Sequence, residues 1–182
     1  VLLTFPQRGS KKALLDMACT NARELLAASF HKEERKTASM QILHDKLSLT
    51  RLPRRIECYD ISNISGKNAV GSMVVFQDGE PDKAAYRRFR IKTVDEPDDY
   101  AMMHEVLTRR FTGSEALPDL VVVDGGKGQL NVALSVLKDL KIKMDVIGLA
   151  KEERIFVTGK EIIKKKAVKS EDRVYLPGRK DA

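Results

Sequence analysis

Residues 117–131 read LPDLVVVDGGKGQLN. Four apolar residues, Leu120 to Val123, run into one carboxylate, Asp124, and then into Gly125-Gly126-Lys127-Gly128. A short β-branched run bounded by a proline and glycines predicts a strand buried on both faces. The spacing of Leu130, Ala133, Leu134 and Leu137 predicts a helix directly after it. Asp124 then falls at the C-terminal tip of the strand, and the glycines let backbone approach whatever the carboxylate holds. A charge next to a core is costly unless it is paired or binds a cation. Asp124 is therefore the first residue that needs a reason.

Working outward, Asp95-Glu96-Pro97-Asp98-Asp99 opens a helix with acids where the helix dipole favours them, and its core stripe is Met102, Met103, Val106, Leu107 and Phe111. Upstream, Ile56–Ile61 (IECYDI) predicts a first strand with Asp60 near its end, Ala69–Phe76 a second, and Tyr86–Ile91 a third. Gln77-Asp78-Gly79-Glu80 is a hairpin-type turn, so the three strands form an antiparallel meander. In the third, Tyr86, Arg88 and Arg90 share one face, and Phe89 and Ile91 the other. Downstream come a short strand at Val146–Leu149, strand or loop segments at 155–157, 161–163 and 173–176, and an exposed basic run, KKKAVK, at 164–169. The order β-β-β-α-β-α-β predicts a mixed α/β layer, not a doubly wound repeat.

The amino-terminal third reads differently. Residues 1–10 make a strand-like start broken by Pro6 and Gly9. Ser10 then caps one long helix, or two, reaching about Leu49, with stripes at Leu14, Leu15, Ala18, Ala22, Leu25 and Leu26 and again at Met40, Leu43 and Leu47. It predicts a packing or connector helix with no chemistry of its own. The expected division is a helical extension over 1–50 and an α/β domain over 51–182.

The 182 residues can bury a real core. No apolar run is long enough to span a membrane, and there is no signal-peptide pattern at Val1. Cys19 and Cys58 fit no zinc spacing and read as small buried hydrophobes in a reducing compartment. The net charge of +7 is uneven: +6 over residues 1–55, −4 over 56–140 and +5 over 141–182. Basic flanks around an acidic middle suit a polyanion binder with a cation-holding centre, and they equally suit two solvated basic faces.

Asp60 and Asp124 both end apolar strands that can be neighbours in a mixed sheet. Hard cations such as Mg2+ and Mn2+ take a few carboxylates plus water and substrate phosphate, so the pair is a candidate metal site. The other reading is two acids that merely terminate strands and cap turns. Gly125-Gly126-Lys127-Gly128-Gln129 lacks the P-loop spacing, although a glycine turn at a helix start can still offer amides and Lys127 to a phosphate.

The segments IECYDIS (56–62), GSMVVFQDGEPDKAAYRRFRIK (71–92), DDYAMMHEVLTRRF (98–111), LPDLVVVDGGKGQLN (117–131) and LPGRKDA (176–182) together resemble the UvrC family, the nuclease subunits of bacterial nucleotide excision repair. The resemblance runs from about Gln7 to Ala182. It implies the ribonuclease H-like endonuclease domain that incises DNA 5′ to a lesion, a mixed sheet flanked by helices, in the bacterial cytoplasm. It implies Mg2+ or Mn2+ held by Asp60 and Asp124 as catalytic residues, with Asp99 a further aspartate needed for incision. Lys127 and Gln129 match the family's GGKGQ loop, which would touch phosphate or DNA backbone. Arg87 and Arg88 match its YRRF/Y segment and would bind backbone or pair with acids. Glu105, farther along the Asp99 helix, would either face the same edge in support or be an exposed helix acid. The implied partners are damaged double-stranded DNA and the UvrB–DNA pre-incision complex, the latter through a segment not in this chain.

Two departures qualify the resemblance. The family's third catalytic residue is a histidine in a later helix. None of His31, His44 and His104 matches it, so the expectation is a domain cut from a larger protein before that helix. Asn63 also stands where the family often has histidine. A non-catalytic nucleic-acid-binding domain on the same scaffold is the competing expectation, and it needs no cation.

Overall fold

The computed structural model describes residues 5–62, 69–94, 98–151 and 172–178. The chain separates into two compact units, residues up to Ser39 and residues from Met40.

One helix, α1 (Ser10–Leu47), runs through the first unit and ends in the second. Ser10 lies inside it rather than capping it, because Gly9, with φ 78°, supplies the carbonyl that accepts the first amides, those of Lys12 and Ala13. Phe5 to Gly9 form no strand. In the first unit Leu14, Met17, Leu25, Leu26 and Phe30 are exposed. Cys19 is exposed with them, not buried as its neighbours suggested. In the second unit α1 ends with Met40 and Leu49 buried and Leu43 and Leu47 packed under the sheet, and Ser48 breaks the helix at φ 53°.

The second unit is built on a mixed sheet of seven strands among the described residues. Strand β1 (Arg55–Ser62) pairs antiparallel with β2 (Val70–Gln77), and β2 pairs along its other edge with the two-residue β3 (Glu80–Pro81) and with β4 (Arg87–Arg90). Asp78 and Gly79, both at positive φ, make the two-residue turn between β2 and β3, as expected from a turn whose twist matches the strands. A single 3-10 turn, Lys83–Ala85, precedes β4. Helix α2 (Asp99–Phe111) then leads to β5 (Leu120–Asp124), which lies parallel to β1. Helix α3 (Lys127–Asp139) carries the chain to β6 (Asp145–Lys151), parallel to β5, and β7 (Asp172–Tyr175) closes the edge antiparallel to β6. The mixed α/β layer read from the sequence is therefore the architecture observed. The segments at 155–157, 161–163 and 164–169 lie outside the described residues.

Alternation divides the two faces. Tyr59, Met73, Val75, Val121, Val123 and Val146 point to one face and bury Met103, Val106 and Leu107 of α2 and Leu130, Ala133 and Val136 of α3. Ile56, Leu120, Val122 and Ile147 point to the other, where the last turns of α1 cover them. Helix α2 presents the stripe its spacing predicted, and α3 does so except that Val136 is buried and Leu134 only half-buried; area removed from water drives the packing.

One charged group lies deep in this core. Glu57 is fully buried; it accepts from Tyr59 Oη at 2.6 Å, from Arg110 Nη2 at 2.7 Å and from Arg55 Nη2 at 2.9 Å. Arg110 itself is 4% exposed and donates also to the Ala116 carbonyl. Such a pair adds little net stability, but it makes loss of either partner expensive. It ties the end of α2 to the start of β1, at the edge opposite Asp60 and Asp124.

Candidate active site

The parallel register of β1 and β5 runs Ile56 to Leu120, Glu57 to Val121, Cys58 to Val122 and Tyr59 to Val123. The next residue of each strand is an aspartate, Asp60 and Asp124. In a parallel pair, residues in register share a face, so the two carboxylates leave the sheet side by side on the face of Cys58 and Val122. Asp60 is half-buried and Asp124 exposed. The expectation of a carboxylate close to burial is corrected for Asp124: β5 is buried as far as Val123, and its last residue emerges at the sheet's edge. The cost of desolvating it is correspondingly small.

Their surroundings leave the acids largely uncommitted. Among the described residues Asp60 accepts one side-chain bond, from Ser62 Oγ at 2.9 Å, and its backbone carbonyl accepts a long one from Ser72 Oγ. The Asp124 side chain has no hydrogen-bond or ion-pair partner among the described residues. Among those residues no group of three or more His, Cys, Asp or Glu is placed to hold a metal ion. The donors present are two carboxylates, which suit a hard cation completing its shell with water and phosphate oxygens. They do not suit a thiolate- or imidazole-binding metal. Cys58, on the same face, has its thiol pushed up to about 11 by burial and by the neighbouring Glu57 charge.

Behind Asp124 the chain turns tightly. Gly125 has φ 150°, its amide donates to the Leu149 carbonyl at 2.8 Å, and its own carbonyl lies where a Cβ on Gly148 would meet it at 2.8 Å. Gln129 folds back on Gly125, where a Cβ would come 2.5 Å from its side chain. Gly126 is the residue before α3 and offers no side-chain cap, so α3 presents its first amides to the loop. Lys127 is the first residue of α3 and is exposed. Lys127 and Gln129 thus both lie in the first turn of α3, directly after the glycine turn that follows Asp124.

Asp99 begins α2. Asp98 caps that helix, accepting from the amides of Tyr100 and Ala101 at 3.0 and 3.1 Å. The neighbouring Asp99 carboxylate is exposed and has no partner among the described residues. The Tyr100 ring rests on Gly128, which brings the start of α2 against the start of α3. The sequence reading missed this contact, and its signal was a glycine at the second position of a helix, where alanine is better by about 1 kcal/mol.

The remaining candidates lie elsewhere. Glu105 is neither an exposed acid nor open to the Asp60–Asp124 edge. It is buried, accepting from the amides of Lys92 and Thr93, from Thr93 Oγ1 at 2.7 Å and from Arg109 Nη1 at 3.0 Å. Arg87 pairs with Glu115 at 2.5 Å, while Arg88 is exposed with no ion pair among the described residues. A groove of about 530 Å3 beside Thr50, Arg51, Leu134, Lys138 and Asp145 lies at the N-terminal edge of β6, away from the two acids.

Residues 44–182 match the model of the UvrC RNase H endonuclease domain. Over 181 residues the chain is 52% identical to UvrABC system protein C of Syntrophus aciditrophicus, covering 99% of this chain and 29% of that protein. It is 48% identical to the protein of the same name from Geotalea daltonii, again covering 29% of the relative. The chain thus spans under a third of the curated relatives' length. Among solved structures, endonuclease V of Bacillus subtilis superposes with a TM-score of 0.42 at 17% identity, covering 85% of this chain and 76% of that one.

Proposed function

This chain belongs to the UvrC RNase H endonuclease domain family, and we propose that it hydrolyses a DNA phosphodiester 5′ to a lesion in nucleotide excision repair. The observation that carries this reading is the β1–β5 register, which brings two aspartates of separate strands to adjacent positions at one sheet edge. Its relatives are named as components of the UvrABC system, and the proposed setting is the bacterial cytoplasm, with damaged double-stranded DNA and a UvrB–DNA complex as partners.

In this reading Asp60 and Asp124 hold a divalent cation, Mg2+ or Mn2+. Once bound, such an ion lowers the pKa of water and offsets charge on the scissile phosphate. The chain's own residues do the placing. Asp60, steadied by Ser62, and the freely exposed Asp124 fix the donor pair on a rigid sheet. Asp99, at the start of α2, supports incision without joining the pair as a ligand. The uncapped amides of α3, with Lys127 and Gln129, receive a phosphate oxygen at the positive end of the helix dipole. Exposed Arg88 and the basic flanks hold the backbone of the strand. Residues 51–182 supply the chemistry and residues 1–50 connect it.

A second reading is a nucleic-acid-binding domain on the same scaffold that does not cut, which the exposed Arg88 and the basic flanks would serve equally well. In the full-length protein, Asp60→Ala and Asp124→Ala are expected to abolish 5′ incision of lesion-bearing duplex while leaving DNA affinity within about twofold. Undiminished 5′ cutting by either variant would favour the second reading.

A further inference from the structure

Gly128 does not need to be glycine for its backbone. It is the second residue of α3, and the left-handed conformation in this loop belongs to Gly125. A glycine there weakens the helix start by about 1 kcal/mol relative to alanine. What the missing side chain permits is contact: a Cβ on Gly128 would lie 2.5 Å from Tyr100 Oη, 2.6 Å from Cε1 and 2.8 Å from Cζ. No alanine fits without displacing the ring. The ring's other side faces solvent, with the residue 51% exposed, so the contact is not part of the core.

Tyr100 is the residue after Asp99, and its amide is fixed by the Asp98 cap. The first turn of α2 has no fully buried side chain until Met102. Tyr100 therefore packs Asp99's turn against the first turn of α3, which follows the Asp124 loop. Tyr175 of β7 packs on Gly126, 3.7 Å from where its Cβ would be. The stretch from Gly126 to Gly128 is thus contacted by tyrosines from two separate elements.

We propose that Tyr100 is a positioning residue: through its seat on Gly128 it sets where Asp99 stands relative to the Asp124 loop. This rests on the proposed phosphodiesterase reading. Displacement of a catalytic group by about 1 Å can cost a hundredfold in rate without loss of binding. The ring, not the hydroxyl, provides the seat, so Tyr100→Phe preserves it and Tyr100→Ala removes it.

The test uses the full-length protein with its UvrABC partners on a lesion-bearing duplex, well below each variant's melting midpoint. Tyr100→Ala is expected to slow 5′ incision at saturating DNA by about tenfold or more. The Mn2+ concentration for half-maximal rate should rise several-fold, and DNA affinity should stay within about twofold. Tyr100→Phe should restore rate and cation requirement to within about twofold. Gly128→Ala, which forces the ring off its seat, should show the Tyr100→Ala pattern. Wild-type rate and cation requirement in Tyr100→Ala would overturn the proposal. So would a loss accounted for by weakened DNA binding, which would make Tyr100 a DNA contact. Asp124→Asn run in parallel separates the two levels: if it still cuts, the phosphodiesterase reading has failed, and if it is dead while Tyr100→Ala cuts normally, only the positioning role has.

Discussion

Glu105 shows what a carboxylate does when it is not part of the site. Burial pushes its pKa up, but the Thr93 hydroxyl, the Thr93 and Lys92 amides and the Arg109 guanidinium outweigh that and hold it at about 2, below the ordinary 4.5. A group depressed in the folded state contributes stability that is present above its unfolded pKa and is lost as pH falls through the folded one. The melting midpoint is therefore expected to fall between about pH 4.5 and pH 2, and Glu105→Gln should flatten that acid limb in a pH series of thermal melts. An unchanged limb would mean the four donors do not favour the charged form. Asp60 and Asp124 were legible as candidates because each terminates an apolar run, a property local to the sequence. Glu105 was not, since its partners include backbone amides at Lys92 and Thr93 that only the β4–α2 connection brings back to it. The seat of Tyr100 on Gly128 was hidden for the same reason.

Between elements, the position of α2 on the sheet is set by a close approach. A Cβ at Gly71 of β2 would lie 2.6 Å from Val106 Cγ2, against the branched end of a fully buried side chain. Gly71→Ala should cost about 1–3 kcal/mol by overpacking, read as a shift of the urea midpoint. Adding Val106→Ala should recover part of that loss, despite its own methyl deletions, through coupling between the two sites. Simple additivity would contradict the close approach. The stripes of α2 and α3 and the pairing of β1 with β2 followed from periodicity, because packing here agrees with local pattern. Strand β3 did not: two residues, one of them Pro81, carry no alternation to detect. The expected cap at Ser10 yielded to Gly9, whose positive φ already turns the chain into α1.

For the whole molecule, the two units differ in what they bury. Residues up to Ser39 form a unit with its apolar side chains exposed, and residues from Met40 carry the sheet, both clustered cores and the candidate site. The sequence order of elements revealed the sheet, but the site's edge depended on strand order: three strands and a helix separate β1 from β5 in the chain, and only their parallel pairing, which runs to Tyr59 and Val123, brings the strand ends carrying Asp60 and Asp124 together. The central claim is that these two carboxylates hold one divalent cation. The direct measurement is the thermal melting of this chain over a Mn2+ titration, since a ligand bound only by the folded state at about 100 times its Kd stabilises it by about 2.7 kcal/mol. The midpoint of the wild-type chain should rise with Mn2+ and saturate, and Asp60→Asn and Asp124→Asn should each lose the rise while melting normally without metal. A flat wild-type titration, or the same rise in Asp124→Asn, would contradict the account.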